Sequence, residues 1–232
     1  MIILTDLSEV LIRGIYGTEN LIEQQYGKRI VKKYLKRREE LNDVFCEVMR
    51  GHIPEDVYWH VFLHDGEWPF DADELKTILS MNLAETIPGT LSVYQRIIGH
   101  PYSFKKGPRF HIVGRPDFWL VSDHIAEREE ELWYLHPEIF SLISRKVWSF
   151  ERSKLKSDKD FFAELLRGSD VDKDKLLFID DMAVNVLAAD KAGIKSILFT
   201  NAKQLEEDLE SLGFAFADTV QEGMDYNTYL NS

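Results

Sequence analysis

Residues 176–194, LLFIDDMAVNVLAADKAGI, carry the pattern on which the fold turns. An apolar run at 176–179 ends in two adjacent acids, Asp180 and Asp181. A helical pattern follows, and then a second apolar run, KSILFT, at 195–200. Short strands that are apolar throughout, joined by a helix, predict a parallel βαβ unit whose strands are covered on both faces. Two like charges at a buried strand tip are costly unless a cation or hydrogen bonds compensate them. A helix cap accounts for one aspartate. A hard divalent cation with oxygen ligands accounts for both, and Mg²⁺ is the usual partner of phosphate chemistry. Asn185, near the start of the following helix, is placed to orient the acids.

Two further apolar runs read as strands, IILT at 2–5 and FWLVS at 118–122. Each of the four runs ends at or near a polar residue: Asp6, Ser122, Asp180 and Thr200. In open α/β sheets ligands bind beyond the carboxyl ends of the strands, which is where these residues fall. The segment DKDFFAELLRGSD, 158–170, is helical in pattern. From about Gly14 to about Ile87 the periodicity is helical, with Gly and Pro at the breaks and no strand pattern. The expected fold is therefore α/β: a Rossmann-like, doubly wound parallel sheet core with an inserted helical cap. Its core is residues 1–14 and 88–232, and its helical insertion is residues 15–87. The basic run KRIVKKYLKRR, 28–38, reads as a solvated helix face. The stretch 99–118, rich in Gly and Pro and carrying Lys105, Lys106, Arg109 and Arg115, reads as a surface loop or hairpin. The tail at 221–232 is expected to be ordered only in part.

With 232 residues and 44% hydrophobic content the chain can bury a core of its own. Its 28 basic and 40 acidic residues leave a formal charge of −12, which argues against a nucleic-acid partner. No stretch is long and apolar enough for a bilayer, so no membrane partner is expected. The N-terminus lacks a basic n-region and a long apolar h-region, so no signal peptide is expected. The single cysteine, Cys46, excludes a disulfide within the chain and fits a reducing, cytoplasmic setting. Its neighbours Val44, Phe45, Val48 and Met49 mark a helix core face, so Cys46 reads as packing. The five tryptophans read the same way. His60 and His64 have i,i+4 spacing, but the metalloprotease helix signature is absent and a zinc site is not expected.

The segments LTDLSEVLI (4–12) and FIDDMAVNVLAADKAGI (178–194) resemble the first and fourth motifs of the haloacid dehalogenase (HAD) superfamily. The helical insertion after the first motif resembles that superfamily's helical cap of subfamily I. WLVSDH supplies the serine expected at the end of the second motif strand, Ser122. SFERSKLKSDKDFF is similar to the third motif in Ser149, Glu151, Lys156, Asp158 and Phe162, with Ser157 where proline is usual. The resemblance implies a hydrolase, a Mg²⁺-dependent phosphatase acting on a small phosphorylated metabolite through an aspartyl-phosphate. It implies Asp6 as nucleophile. It implies Asp6, the main-chain carbonyl of Ser8, Asp180 and Asp181 as the metal site, with Asn185 orienting. Ser122, Asp123 and Lys156 are implied as phosphate-binding residues, with Lys156 also balancing charge in the transition state; Lys154 and Lys159 compete for that role. The chain is expected to act as a monomer or homodimer.

Ser8 departs from the pattern, because the family's phosphatases usually carry there an aspartate that protonates the leaving group and then activates water. Such help is typically worth about 10²–10⁴ in rate. The ligand role at this position needs only the main-chain oxygen. Three outcomes follow: a slow phosphatase or one restricted to good leaving groups; an acid recruited from Glu9, Glu19, His60 or His64; or a phospho-ligand binder without turnover. DLSEVLI is most similar to the branch related to epoxide hydrolase N-terminal phosphatases, which carries a small residue here and favours turnover. Metal-free dehalogenation is the sibling chemistry, but it has no use for two extra carboxylates at Asp180 and Asp181.

Overall fold

A computed structural model describes residues 1–64, 66–99, 115–169 and 171–217. The expectations for most of the 99–118 stretch and for the 221–232 tail lie outside the described residues. Five strands form one sheet: β1 (Ile2–Thr5), β2 (Asp117–Ser122), β3 (Arg145–Trp148), β4 (Leu176–Asp180) and β5 (Lys195–Leu198). All pairings are parallel, in the spatial order β3-β2-β1-β4-β5. The chain moves from β1 to one side of the sheet and later returns to the other, so the topological switch lies between β1 and β4. That is the position at which open α/β sheets form their crevice.

The strands alternate between two apolar layers, as a period of two requires. Leu4, Trp119, Val121, Val147 and Phe178 face one layer, with Phe161, Phe162 and Leu165 of a later helix. Ile3, Phe118, Leu120, Leu177 and Ile179 face the other, which continues into the helices inserted after β1. Burial on both faces is why these strands read as continuous apolar runs.

Between β1 and β2 the regular structure of the described residues is helical. It comprises α1 (Thr18–Tyr26), α2 (Lys28–Glu40), α3 (Asn42–Met49), α4 (Glu55–His64), α5 (Ala72–Leu83) and α6 (Thr90–Gly99). The remaining helices are α7 (Glu129–Leu135), α8 (Pro137–Phe140), α9 (Ser149–Arg152), α10 (Phe161–Arg167), α11 (Ala183–Lys191) and α12 (Ala202–Ser211). No helix of the described residues is long and apolar enough to cross a membrane.

The structure differs from the sequence reading in three places. β3 is a fifth strand, hidden because its first two residues, Arg145 and Lys146, are only half-buried at the sheet edge. The KSILFT strand stops at Leu198, although the Phe199 N–H still donates to the Asp180 carbonyl at 2.8 Å, and the backbone bends at Thr200. The helix expected over 158–170 is confined to α10, because Asp158 turns back to accept from the Leu155 N–H at 2.9 Å.

Contacts from the inserted helices fix them against the sheet layers. Arg50, at the end of α3, makes a two-pronged ion pair with Asp158 at 2.8 and 3.1 Å. Glu55, at the start of α4, is buried against Arg128 at 2.7 Å and also accepts from the Trp59 indole at 2.8 Å. His136 meets the Leu83 carbonyl at 2.7 Å.

Candidate active site

Asp6 stands one residue beyond β1, and its N–H continues the ladder to the Ile179 carbonyl of β4 at 2.9 Å. Asp180 ends β4, and Asp181 follows it. Parallel register thus brings to one place acids that are more than 170 residues apart in sequence. Asp6, Asp180 and Asp181 each offer a carboxylate oxygen, and these oxygens all lie within 4.8 Å of one another.

Lys156 enters this group from the loop before α10. Its Nζ lies 2.7 Å from Asp6 Oδ1 and 2.6 Å from Asp180 Oδ2, with 2% of the residue exposed. The loop is held in place by two aspartates. Asp123 accepts from the Lys156 N–H at 3.0 Å, and Asp158, itself gripped by Arg50, accepts from the Leu155 N–H. Ser153, where the loop begins, has a φ of 52°, and Glu9, next to Ser8, has a φ of 57°. Left-handed backbone at non-glycine residues is strained by roughly 1–3 kcal/mol each and clusters at functional sites.

The two acids of the DD pair have different surroundings. Asp180 is fully buried and both of its oxygens are engaged. Oδ1 accepts from the Met182 N–H at 2.8 Å and from Asn185 Nδ2 at 3.0 Å, and Oδ2 accepts from Lys156. The Met182 N–H opens α11, so the carboxylate also benefits from the positive end of that helix. Asp181 is half-buried and lines the pocket. Asp6 Oδ1 accepts from the Leu7 N–H at 2.8 Å as well as from Lys156, whereas Oδ2 accepts no hydrogen bond among the described residues.

Protonation follows from crowding and burial. Burial raises the Asp6 carboxyl well above its ordinary range, and Asp180 and Asp181 add to this while Lys156 opposes it. Asp181 is pushed up to about 6, by burial first and the charge of Asp180 second. Asp123 is also pushed up to about 6, chiefly by burial. Burial works against the Lys156 ammonium, but Asp180, Asp6 and Asp123 outweigh it and hold it charged. With all three carboxyls ionised and Lys156 charged, the group carries two net negative charges, which one divalent cation neutralises. The all-oxygen donor set is the type that Mg²⁺ takes, so these residues fit the ion expected from the sequence.

Ser122 ends β2 and is buried, and its Oγ has no hydrogen-bond partner, an uncommon state for a buried hydroxyl. Asp6, Ser8, Asp123, Lys156, Asp181 and Asn185 line one pocket of about 190 Å³. A broader cleft of about 890 Å³ shares Glu9 with it but contains none of the clustered acids. Glu19 lies in that cleft and pairs with Arg38 at 3.1 Å. His60 and His64 line a separate cleft with Asp56 and Lys76, outside the acid pocket. Of the acids considered as substitutes for one at position 8, the pocket therefore contains Glu9, whose carboxylate is engaged by the Gly14 N–H at 2.7 Å and by Arg13 at 3.1 Å. Lys154 pairs with Glu164 and stands apart from the acids.

Sequence reasoning missed the supports of the lysine loop. Asp123 was visible there as a phosphate contact, not as a main-chain clamp, and nothing local to Arg50 points to Asp158. Burial raises the Cys46 thiol above its ordinary range, so this pocket residue is a neutral wall rather than a nucleophile.

The chain is similar to several solved structures. One is a predicted HAD-like family hydrolase from Porphyromonas gingivalis, at 18% identity and a TM-score of 0.64, with 90% of this chain and 96% of that one covered. A second is a HAD family enzyme from Bacteroides thetaiotaomicron in complex with magnesium and inorganic phosphate, at 14% identity and a TM-score of 0.59, with 86% and 93% covered. A third is L-2-haloacid dehalogenase from Xanthobacter autotrophicus with chloropropionic acid covalently bound, at 12% identity and a TM-score of 0.56, with 93% and 85% covered. At these identities the likeness establishes a shared fold. No protein-family model matches the sequence, and no curated protein matches it.

Proposed function

We propose that this chain is a Mg²⁺-dependent hydrolase of small phosphate monoesters that works through an aspartyl-phosphate on Asp6. The observation that carries this reading is the buried Lys156 ammonium between Asp6 and Asp180, with Asp181 beside them facing the pocket. Asp6, Asp181 and the main-chain carbonyl of Ser8 would hold the ion, with Asp180 ordering Lys156 behind them. When bound, Mg²⁺ supplies charge neutralisation for a phosphate entering beside three carboxylates.

The chain's own residues account for the rest. Asp6 Oδ1 is anchored by Leu7 N–H and Lys156, which leaves Oδ2 to form the new O–P bond as the ester O–P bond breaks. Lys156 stays protonated and offsets the charge of nucleophile and phosphoryl group. The unpartnered Ser122 hydroxyl at the tip of β2, buried and outside the pocket lining, would donate to a phosphate oxygen. Water then cleaves the acyl phosphate and restores Asp6. Ser8 has no proton to exchange near neutral pH, so leaving groups that depart unprotonated are favoured.

Residues 15–87 act in this reading as a subfamily I cap over a core of residues 1–14 and 88–232. The small residue at position 8 keeps the branch related to epoxide hydrolase N-terminal phosphatases as the nearest likeness. The single cysteine supports a cytosolic setting. Dehalogenation remains the alternative, since a dehalogenase shares the fold, but a second and third carboxylate beside the nucleophile disfavour its anionic substrates.

Phosphate release from acetyl phosphate, with Mg²⁺ and with EDTA, tests the proposal. It predicts turnover with Mg²⁺ alone, and none in Asp6→Asn. Equal release in EDTA, or from Asp6→Asn, would refute it, and halide release from 2-chloropropionate without metal would favour the alternative.

A further inference from the structure

The pocket that contains Asp6 also describes what its substrate carries besides phosphate. Its volume of about 190 Å³ lies below the roughly 300–1,000 Å³ typical of small-molecule sites. Besides the acids, Lys156 and the neutral polar residues Ser8, Asn42, Ser157 and Asn185, its wall is Ile15, Cys46, Met49, Leu155, Met182 and Val184, the last two half-exposed at its rim. This wall is built from both sides, because Cys46 and Met49 come from α3 while Met182 and Val184 come from the start of α11. The Cys46 thiol remains neutral.

Charge is distributed unevenly. Lys156 is the one cation among the described residues lining the pocket, and it is already committed to Asp6 and Asp180. The remaining charged lining residues, Glu9, Asp123 and Asp181 besides Asp6, are all acids. A second anionic group on a substrate, whether carboxylate or phosphate, would lose water against thioethers and aliphatic chains and meet further acids, with no uncommitted cation in the lining to receive it.

We infer that the substrate class is a small monophosphate whose organic part is uncharged and largely apolar, and that Met49, Cys46, Met182 and Val184 form its selectivity wall. This deepens the phosphatase reading and rests on it for the phosphate end alone. By the same argument the chain discriminates against phosphorylated carboxylic acids, bisphosphates and 2-haloacids.

The test uses two non-hydrolysable probes of similar size, 3-methylbutylphosphonate and 3-phosphonopropionate, which differ in a terminal isopropyl against a carboxylate. Their affinities for the full chain in Mg²⁺ are measured by calorimetry. The isopropyl probe should bind at least about tenfold more tightly, a modest share of the cost of burying an unpaired carboxylate. Asn42, at the pocket mouth on the exposed face of α3, provides the converse variant. Asn42→Arg places a cation there and should reduce or invert the ratio. Equal or tighter binding of the carboxylate probe by the native chain, or an unchanged ratio in Asn42→Arg, would overturn the inference. Acetyl phosphate turnover is scored separately. Its loss alongside an intact probe preference would sink the catalytic reading and leave the selectivity wall standing.

Discussion

Ser8 is the residue at which chemistry and resemblance part. A carboxylate two residues after the nucleophile can protonate a departing alkoxide and later activate water, and a serine hydroxyl does neither near neutral pH. Ser8→Asp should therefore raise turnover of alkyl phosphates by about 10²–10⁴ while changing acetyl phosphate turnover far less, since acetate leaves without a proton. Steady-state kinetics on the two ester classes checks this, and a uniform effect on both would place the defect elsewhere. At this scale the sequence is informative where a residue's role follows from its neighbours in the chain. Asp6, Asp180 and Asp181 each end an apolar run, and that local pattern predicts a strand tip. Lys156 was one of three lysines in a polar loop, and its selection depends on Asp123 and Asp158 holding the loop by main-chain bonds. Arg50 lies 108 residues from Asp158, and no local pattern connects them.

Elements show a similar division. The runs that form β1, β2 and β4, which reach both apolar layers, were legible because sustained apolar runs have few other uses. β3 was not, because an edge strand with half-buried basic residues at its start resembles a loop. How the inserted helices sit on the sheet was also not legible, since polar pairs between distant segments decide it. The pair Glu55–Arg128 joins α4 to the turn before α7 and is almost wholly buried, at 4% and 7% exposure. Glu55 N–H is further held by Glu127 at 3.1 Å. Arg128→Met leaves the Glu55 carboxylate without its partner, and by analogy with other broken buried pairs should cost about 3–5 kcal/mol in urea unfolding. Adding Glu55→Gln should recover a substantial part of this, because the double variant buries no unpaired charge. Equal stability of native and Arg128→Met chains would mean that this contact does not anchor the helices.

For the molecule as a whole, the parallel order β3-β2-β1-β4-β5 does the decisive work. It sets the tips of β1 and β4 side by side, so that Asp6 and the DD pair meet, and it leaves the inserted helices to close the other wall of the pocket. The sheet class and the meeting of the acids follow from the strand pattern, whereas the volume and polarity of the pocket depend on packing that the chain expresses only when folded. The central claim is that Asp6 accepts a phosphoryl group beside a bound Mg²⁺. With no acid at position 8 to hasten the second step, the phosphorylated form should accumulate. Acid quenching after brief incubation with acetyl phosphate, followed by mass spectrometry of the intact chain and its peptides, reads this directly. The account predicts one phosphoryl group per chain, on the peptide bearing Asp6, present with Mg²⁺ and absent with EDTA. Magnesium-dependent phosphate release with no phosphoryl group on Asp6 at any quench time would contradict it.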